Sequence, residues 1–328
     1  MEREYKYDNI KFILIFLVVL AHIMNVLECS YYLYFFIFLF HMPAFVYISG
    51  YFSKGGKKGI IKPIVLYIVF QTIYFLIDLI IFKKNISLNF FKPSWTLWYL
   101  LSLGIWNITI TIINFKKIRK KYICYIIIFV LFFSSIISGY FDKIGKFFSL
   151  ARIINFYPFF MIGYFTKNNS IQIFNSKDYK NNEKIIKLIF TLFGIVSFAF
   201  FLHTKNPNRR WLYGLYSYNN AKYNITIRIM QILFSLFMIY LFDNLVPNKK
   251  VFISTIGSHT LYIYLIHGLI IKLFKQYIFI IKTEYDFLNF IISLILTILV
   301  IIICEIIEMI IELIYNKISN LKIKNINN

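Results

Sequence analysis

Charge is scarce in this chain: 15% of its 328 residues are Asp, Glu, Lys or Arg, whereas a soluble domain carries roughly a quarter. That deficit argues against an ordinary soluble globular enzyme. Cysteine is almost missing as well. Cys29, Cys124 and Cys304 lie far apart, with no CxxC pair and no Cys/His cluster at metal spacing, so neither a disulfide framework nor a zinc site is expected from them. There is no G-x-x-x-x-G-K-[ST] loop, no G-x-S-x-G elbow and no H-E-x-x-H helix, and ATPase, serine-hydrolase and zinc-protease chemistry therefore have no motif to rest on. No internal repeat marks the inverted halves of a secondary transporter. Long polar stretches are absent too, since no loop exceeds about 20 residues. The whole of 1–328 therefore reads as a single membrane domain with no appended soluble domain, and any chemistry is expected inside the helix bundle or at its two faces.

What the chain has in abundance is apolar sequence, 59% of its residues, with a mean hydropathy of +0.69. That mass would fill about ten membrane spans of about 20 residues each. Apolar runs bounded by charge or turn residues fall near 10–27, 31–52, 61–82, 95–115, 122–138, 148–166, 185–203, 225–246, 253–274 and 286–307. They are apolar on all sides and too long for strands, which predicts an all-α polytopic integral membrane protein of about ten transmembrane helices in one bundle. The first run is followed at once by a second, with no small-residue cleavage site between them, and is expected to be retained rather than removed as a signal peptide. If the N-terminus is cytoplasmic, Lys and Arg favour the cytoplasmic segments by about two to one, which places both termini inside. Topology thus absorbs much of the +22 net charge. No basic patch is interleaved with exposed aromatics, so nucleic acid is not an expected partner.

Ionisable side chains inside spans are costly, and each one is a candidate for function. At about 100° per residue, the eleven steps from Lys11 to His22 bring both to one face of the first helix, about 16 Å apart along its axis. His41 lies ten residues into the second span, so His22 and His41 are expected at similar depth in adjoining helices. Pro43 just beyond removes a backbone hydrogen bond and is expected to kink the helix where a cavity opens. A neutral imidazole bonded to a neighbouring helix would account for either histidine alone; with Lys11 on the same face, proton transfer is the favoured reading. His267 falls about fourteen residues into the ninth span, in its outer half. Arg152 and Arg228 stand near outer helix ends, where they could bind an anionic acceptor or snorkel to the interface. Trp95 and Trp98, at the outer start of the fourth span, are placed for an interfacial belt or for stacking on a sugar. His203 and His259 fall at span ends and are expected to meet water. Glu305, Glu308 and Glu312 share a helical face and read as a solvated stripe near Lys317. Asp8 is expected to pair with Lys11 or a neighbouring base.

A series of blocks then carries a likeness. Asp8-Asn9-Ile10-Lys11 runs through Val18-Val19-Leu20-Ala21-His22, followed by Phe40-His41-Met42-Pro43-Ala44-Phe45 and Ile48-Ser49-Gly50-Tyr51-Phe52. Pro93-Ser94-Trp95-Thr96-Leu97-Trp98-Tyr99-Leu100 comes next, then Arg152 with Pro158-Phe159-Phe160-Met161-Ile162-Gly163-Tyr164, and finally Ile256-Gly257-Ser258-His259-Thr260-Leu261-Tyr262-Ile263-Tyr264-Leu265-Ile266-His267. In this order the chain resembles the acyltransferase 3 family of bacterial integral-membrane O-acyltransferases, and within it the group related to fucose 4-O-acetylase.

The resemblance implies transfer of an acyl group, usually acetyl, from cytoplasmic acyl-CoA to a hydroxyl of a surface or exported carbohydrate. It implies location in the bacterial cytoplasmic membrane. His22 matches the family's histidine in the first helix, and Lys11 matches its basic partner, more often Arg. Lys keeps the charge and loses the bidentate fork. His41, Trp95, Trp98, Arg152 and His267 match further motif positions, with His41 assisting His22 and the others lying toward the acceptor. Lys54, Lys57 and Lys58 around Gly55-Gly56 lie on the donor side, where they could hold CoA phosphates. Acetyl-CoA is then a donor substrate, and no permanently bound cofactor or metal is expected. The competing class is a membrane carrier or flippase whose buried histidines relay protons. The acceptor sugar and the oligomeric state are left open.

Overall fold

The computed structural model describes residues 3–118, 120–145, 147–168, 171, 183–204 and 207–326. Arg119, Lys146, Lys177, Lys180 and Lys205, which enter the loop charge balance, lie outside the described residues. Among the described residues all regular structure is helical, as the length of the apolar runs dictates. Eight helices among these residues are long and apolar enough to cross a membrane, and two shorter apolar helices cover 98–113 and 187–203. The expected fourth and seventh spans are these shorter ones.

The chain divides into two compact units, one of residues 1–34 and 248–328 and one of residues 35–247. In the first, α1 (Tyr5–Leu27) packs against α10 (Phe252–Ser258), α11 (Thr260–Ile280) and α12 (Asp286–Ile326). Helix α1 ends where Glu28 turns left-handed, with φ 54°. The following turn is fixed by charge: Lys282 meets Glu28 at 2.6 Å, and Ser30 donates its amide to Asp286 at 2.8 Å. Near the other end of α1, buried Asn9 donates to the Lys249 carbonyl at 3.1 Å and accepts from Ser254 Oγ at 2.6 Å. Gly257 of α10 lies directly over the Asp8 carbonyl, where any Cβ would collide. Small residues at such crossings let membrane helices approach backbone to backbone.

The expected ninth span, 253–274, is corrected here. It is interrupted at His259, and the long helix is α11, which starts at Thr260. The break falls at Gly257-Ser258-His259-Thr260, a cluster too short to end the apolar run by itself; the Thr260 hydroxyl satisfies the Gly257 carbonyl at the joint.

In the second unit, α3 (Gly56–Leu76) pairs with α4 (Trp98–Ile113), α5 (Lys121–Ile137) with α6 (Leu150–Asn168), and α7 (Glu183–His203) with α9 (Ile225–Leu245), while α4 also meets α6. Helix α2 (Tyr31–Phe52) enters this unit at Phe35. Within it Gly50 sits against the Phe160 carbonyl, and Gly163 against that of Tyr47. The two glycines lie on facing helices and admit the same close crossing. Helix α3 closes in a π-helical turn, Ile77–Ile81. The polar segment after it is tied back by Tyr67, whose hydroxyl donates to the Phe90 carbonyl at 2.6 Å, and by Gln71, which bonds Asn89, Lys92 and Ser94. The short helix α8 (Tyr218–Ala221) is capped by Ser217. Outward faces keep large apolar side chains, such as Phe129 and Phe133 of α5, Ile195 of α7 and Ile295 and Leu299 of α12. Lipid solvates such faces.

Candidate functional site

Lys11 and His22 both stand on α1, as their spacing requires. Asp8, buried one turn before Lys11, binds the Lys11 ammonium at 3.3 Å and Arg3 Nε at 2.9 Å. The expected Asp8–Lys11 pair is therefore present, and the Gly257 crossing presses on the backbone that carries it. Eleven residues on, the half-buried ring of His22 stacks on that of His267, with centroids 5.6 Å apart and planes 22° from parallel. His267 is fully buried, seven residues after the start of α11. Its expected place in the outer half of a continuous span is corrected by the break at His259: it lies in the first half of α11. Nδ1 of His267 is 2.8 Å from the Ile263 carbonyl. A carbonyl only accepts, so Nδ1 carries a proton and a neutral ring keeps its lone pair at Nε2. That Nε2 is buried and makes no hydrogen bond to the protein.

His41 belongs to the other unit. It is buried in α2, its Nδ1 donates to the Ile37 carbonyl at 2.8 Å, and Phe38 meets the ring edge-on at 4.6 Å. Pro43 sits within α2, and it lines a cavity of about 20 Å³ together with Phe38, Asn155, Arg228 and Gln231. That is room for about one water.

Arg152 and Trp98 come together. The guanidinium lies 5.0 Å from the Trp98 ring centroid, a cation–π contact, while Arg152 Nε donates to the Tyr213 carbonyl at 3.0 Å. The other stacking partner of Trp98 is Phe156 at 5.1 Å, and Trp98 is buried rather than placed in a belt. Trp95 precedes α4 with φ 38° and keeps an exposed side chain. Arg228 does not snorkel: it is buried in α9, donating to Ser135 Oγ at 2.9 Å and to Gln231 Oε1 at 3.4 Å. Ser135 and Ser138 both donate to Asn155 Oδ1, and Asn155 reaches the Gly214 carbonyl at 2.9 Å. This network of small polar side chains has no sequence motif. Its one visible sign is Arg228 inside an apolar run.

Lys54, Lys57 and Lys58 are all exposed around the turn that starts α3. Gly55 and Gly56 take φ of 67° and 75°, and the turn is held by a bond from the Gly56 amide to Thr111 Oγ1 at 2.8 Å and from Ser53 Oγ to Asn107 Oδ1 at 2.6 Å. Two lysines thus occupy the first turn of a helix whose N-terminal amides themselves favour anions.

The expected solvated stripe on α12 is also corrected. Glu312 is exposed, but Glu308 is buried, and both Glu305 and Glu308 face His259 at the α10–α11 break. His259 was expected to need only water. The helical spacing of the acids was legible; the helix that covers them was not.

A family model described as an acyltransferase domain matches residues 4–309. No curated protein and no solved structure matches the chain.

Proposed function

Since the chain belongs to the acyltransferase 3 family, a family model of which spans almost its whole length, and is a membrane-embedded acyltransferase, we propose that it moves an acetyl group from cytoplasmic acetyl-CoA to a carbohydrate hydroxyl. The acceptor in this reading is a surface or exported polysaccharide or its lipid-linked precursor, and the protein sits in the bacterial cytoplasmic membrane with both termini inside. The observation that carries the reading is the His22–His267 stack, an imidazole pair inside the apolar part of the first unit.

In this mechanism the acceptor oxygen attacks the thioester carbonyl, the C–S bond breaks, and an ester forms. His22 takes the hydroxyl proton and returns it to the departing thiolate, so the products are the ester and the CoA thiol. His22 could equally hold the acyl group between two half-reactions. His267 supports either role, because its Nδ1 is fixed on Ile263 and only Nε2 is left to share the proton load. Lys11, held by Asp8, supplies positive charge at the donor end of the same helix. Lys54, Lys57 and Lys58 bind CoA phosphates. Arg152 and Trp98, already in contact, present a cation and an aromatic face to the sugar, with Trp95 three residues before Trp98. His41 is a further candidate proton carrier through Nε2, the nitrogen left by its bond to Ile37.

Acetyl content of surface polysaccharide, measured by NMR in a deletion strain complemented with wild type or His22→Ala, tests the proposal. Acetylation restored by wild type alone supports it. Equal restoration by both removes His22 from the chemistry, and loss of polymer export with normal precursor acetylation favours a carrier.

A further inference from the structure

At the break between α10 and α11, His259 Nδ1 lies 3.2 Å from Glu305 Oε2 and 3.0 Å from Glu308 Oε2. One ligand atom from each of the three residues falls within 4.8 Å of the others. We propose that His259, Glu305 and Glu308 form a binding site for a divalent transition-metal ion of the zinc class, which fastens α12 to the α10–α11 joint.

Geometry is the first support. Zinc holds imidazole nitrogen and carboxylate oxygen at about 2.0–2.2 Å in a tetrahedral array, which sets neighbouring ligand atoms about 3.3–3.6 Å apart. The two observed separations are 0.1–0.3 Å shorter than that range, so a small outward movement of the two carboxylates admits the ion. A second support is independent of the spacing. Glu308 is 3% exposed, and its Oε2, aimed into the cluster, makes no hydrogen bond; Oε1 of Glu305 is buried and equally unbonded. One Nδ1 proton cannot satisfy two carboxylates at once. Buried oxygens of this kind are costly unless they are paired or coordinate a cation.

Charge points the same way. The charged groups acting on Glu308 are His259, Glu305 and Glu312, so that with Glu308 itself three acids stand against one imidazole. An imidazole in the donor set selects a transition metal over magnesium or calcium, which prefer oxygen alone. Access is provided by His259, whose side chain is 34% exposed. Glu305 lies nineteen residues along α12 from Asp286, about 28 Å by helical rise. That is close to the full thickness of the hydrocarbon layer, about 30 Å, so an ion reaches the site from one membrane face. Three protein ligands leave further coordination positions for water. The site is separate from the His22–His267 pair and does not depend on the acyl-transfer reading.

The test uses the full-length protein, purified in detergent, stripped with a chelator, and titrated with ZnCl2 against a fluorescent competitor. Expected are one zinc ion per chain and a thermal unfolding midpoint raised by zinc. His259→Asn and Glu305→Gln, at partly exposed side chains, should each weaken binding by about 100-fold and abolish the thermal shift. His203→Asn, on α7, should bind as wild type does. Glu308→Gln should behave like the other two; if it fails to fold, they carry the test. Folded wild type that takes up no zinc, variants that bind as tightly as wild type, or zinc displaced by millimolar MgCl2 would each overturn the proposal.

Discussion

The rings of His22 and His267 are stacked at 5.6 Å on neighbouring helices of one unit, and His267 is anchored through Nδ1 to its own helix. In the proposed reaction the two rings share one proton, and their substitutions should then not add. His22→Ala is expected to lower turnover by about 10²–10⁴-fold, the usual worth of a positioned acid or base. His267→Ala should lower it by a similar order, and the double variant should be no worse than His22→Ala alone. The readout is labelled acetyl transfer in membranes carrying equal amounts of each protein. Losses that multiply in the double variant would mean that the rings work independently.

Gly257 and Gly56 separate two meanings of glycine. A Cβ at Gly257 strikes the Asp8 backbone, which cannot move aside without shifting α1, whereas a Cβ at Gly56 meets nothing and suffers only from its φ of 75°. Gly257→Ala should therefore destabilise by about 3 kcal/mol, the upper range for overpacking, and Gly56→Ala by about 1 kcal/mol, the cost of a left-handed residue. Thermal unfolding of the purified protein in detergent reads both. A larger loss at Gly56 would contradict the packing described for α10 on α1.

Arg228 is buried against neutral partners, Ser135 and Gln231. A desolvated charge held in this way is a burden on stability, and replacing it with an apolar side chain of similar length removes the burden. Arg228→Met should unfold at the same temperature as wild type or a few degrees higher. Arg228→Ala should lose about 2 kcal/mol, because it leaves a hole beside a cavity that already exists. If Arg228→Met were the less stable of the two, the guanidinium would be a structural tie, not a tolerated cost.

The apolar runs made the helices legible, because a stretch too long for a strand and apolar on every face has one stable form in lipid. Single-helix relations were equally plain: Lys11 with His22, Asp8 with Lys11, and Glu305 with Glu308 all follow from 3.6 residues per turn. Relations between helices were not. The stack of His22 on His267 could be read only from the structure, because the break at His259 carries His267 into the first half of α11. That break leaves no polar trace in 253–274 beyond Gly257, Ser258, His259 and Thr260, a cluster readable as a turn only once Gly257 is seen pressed on Asp8. The sequence left Arg228 open between binding and snorkelling, and gave His259 no partner beyond water, for one reason. Snorkelling and hydration depend on which neighbour covers a side chain, and periodicity along one helix holds no information about the next.

Lys57 and Lys58 stand exposed in the first turn of α3, and the turn before them is pinned by Thr111 and Asn107. Their charge is presented on a fixed base, at a helix end that already attracts anions. If CoA phosphates dock there, the interaction is made by donor and transition state alike, so losing it should raise KM without changing kcat. Lys57→Glu with Lys58→Glu should raise the KM for acetyl-CoA by about ten-fold, an effect that 0.5 M NaCl should partly reproduce in wild type, since exposed charges are screened within about 4–5 Å at that ionic strength. The KM for the carbohydrate acceptor should stay constant. Steady-state kinetics with each substrate varied in turn gives the answer: a fall in kcat at unchanged donor KM would place these lysines outside the donor site and leave them the topological role that their positive charge also fits.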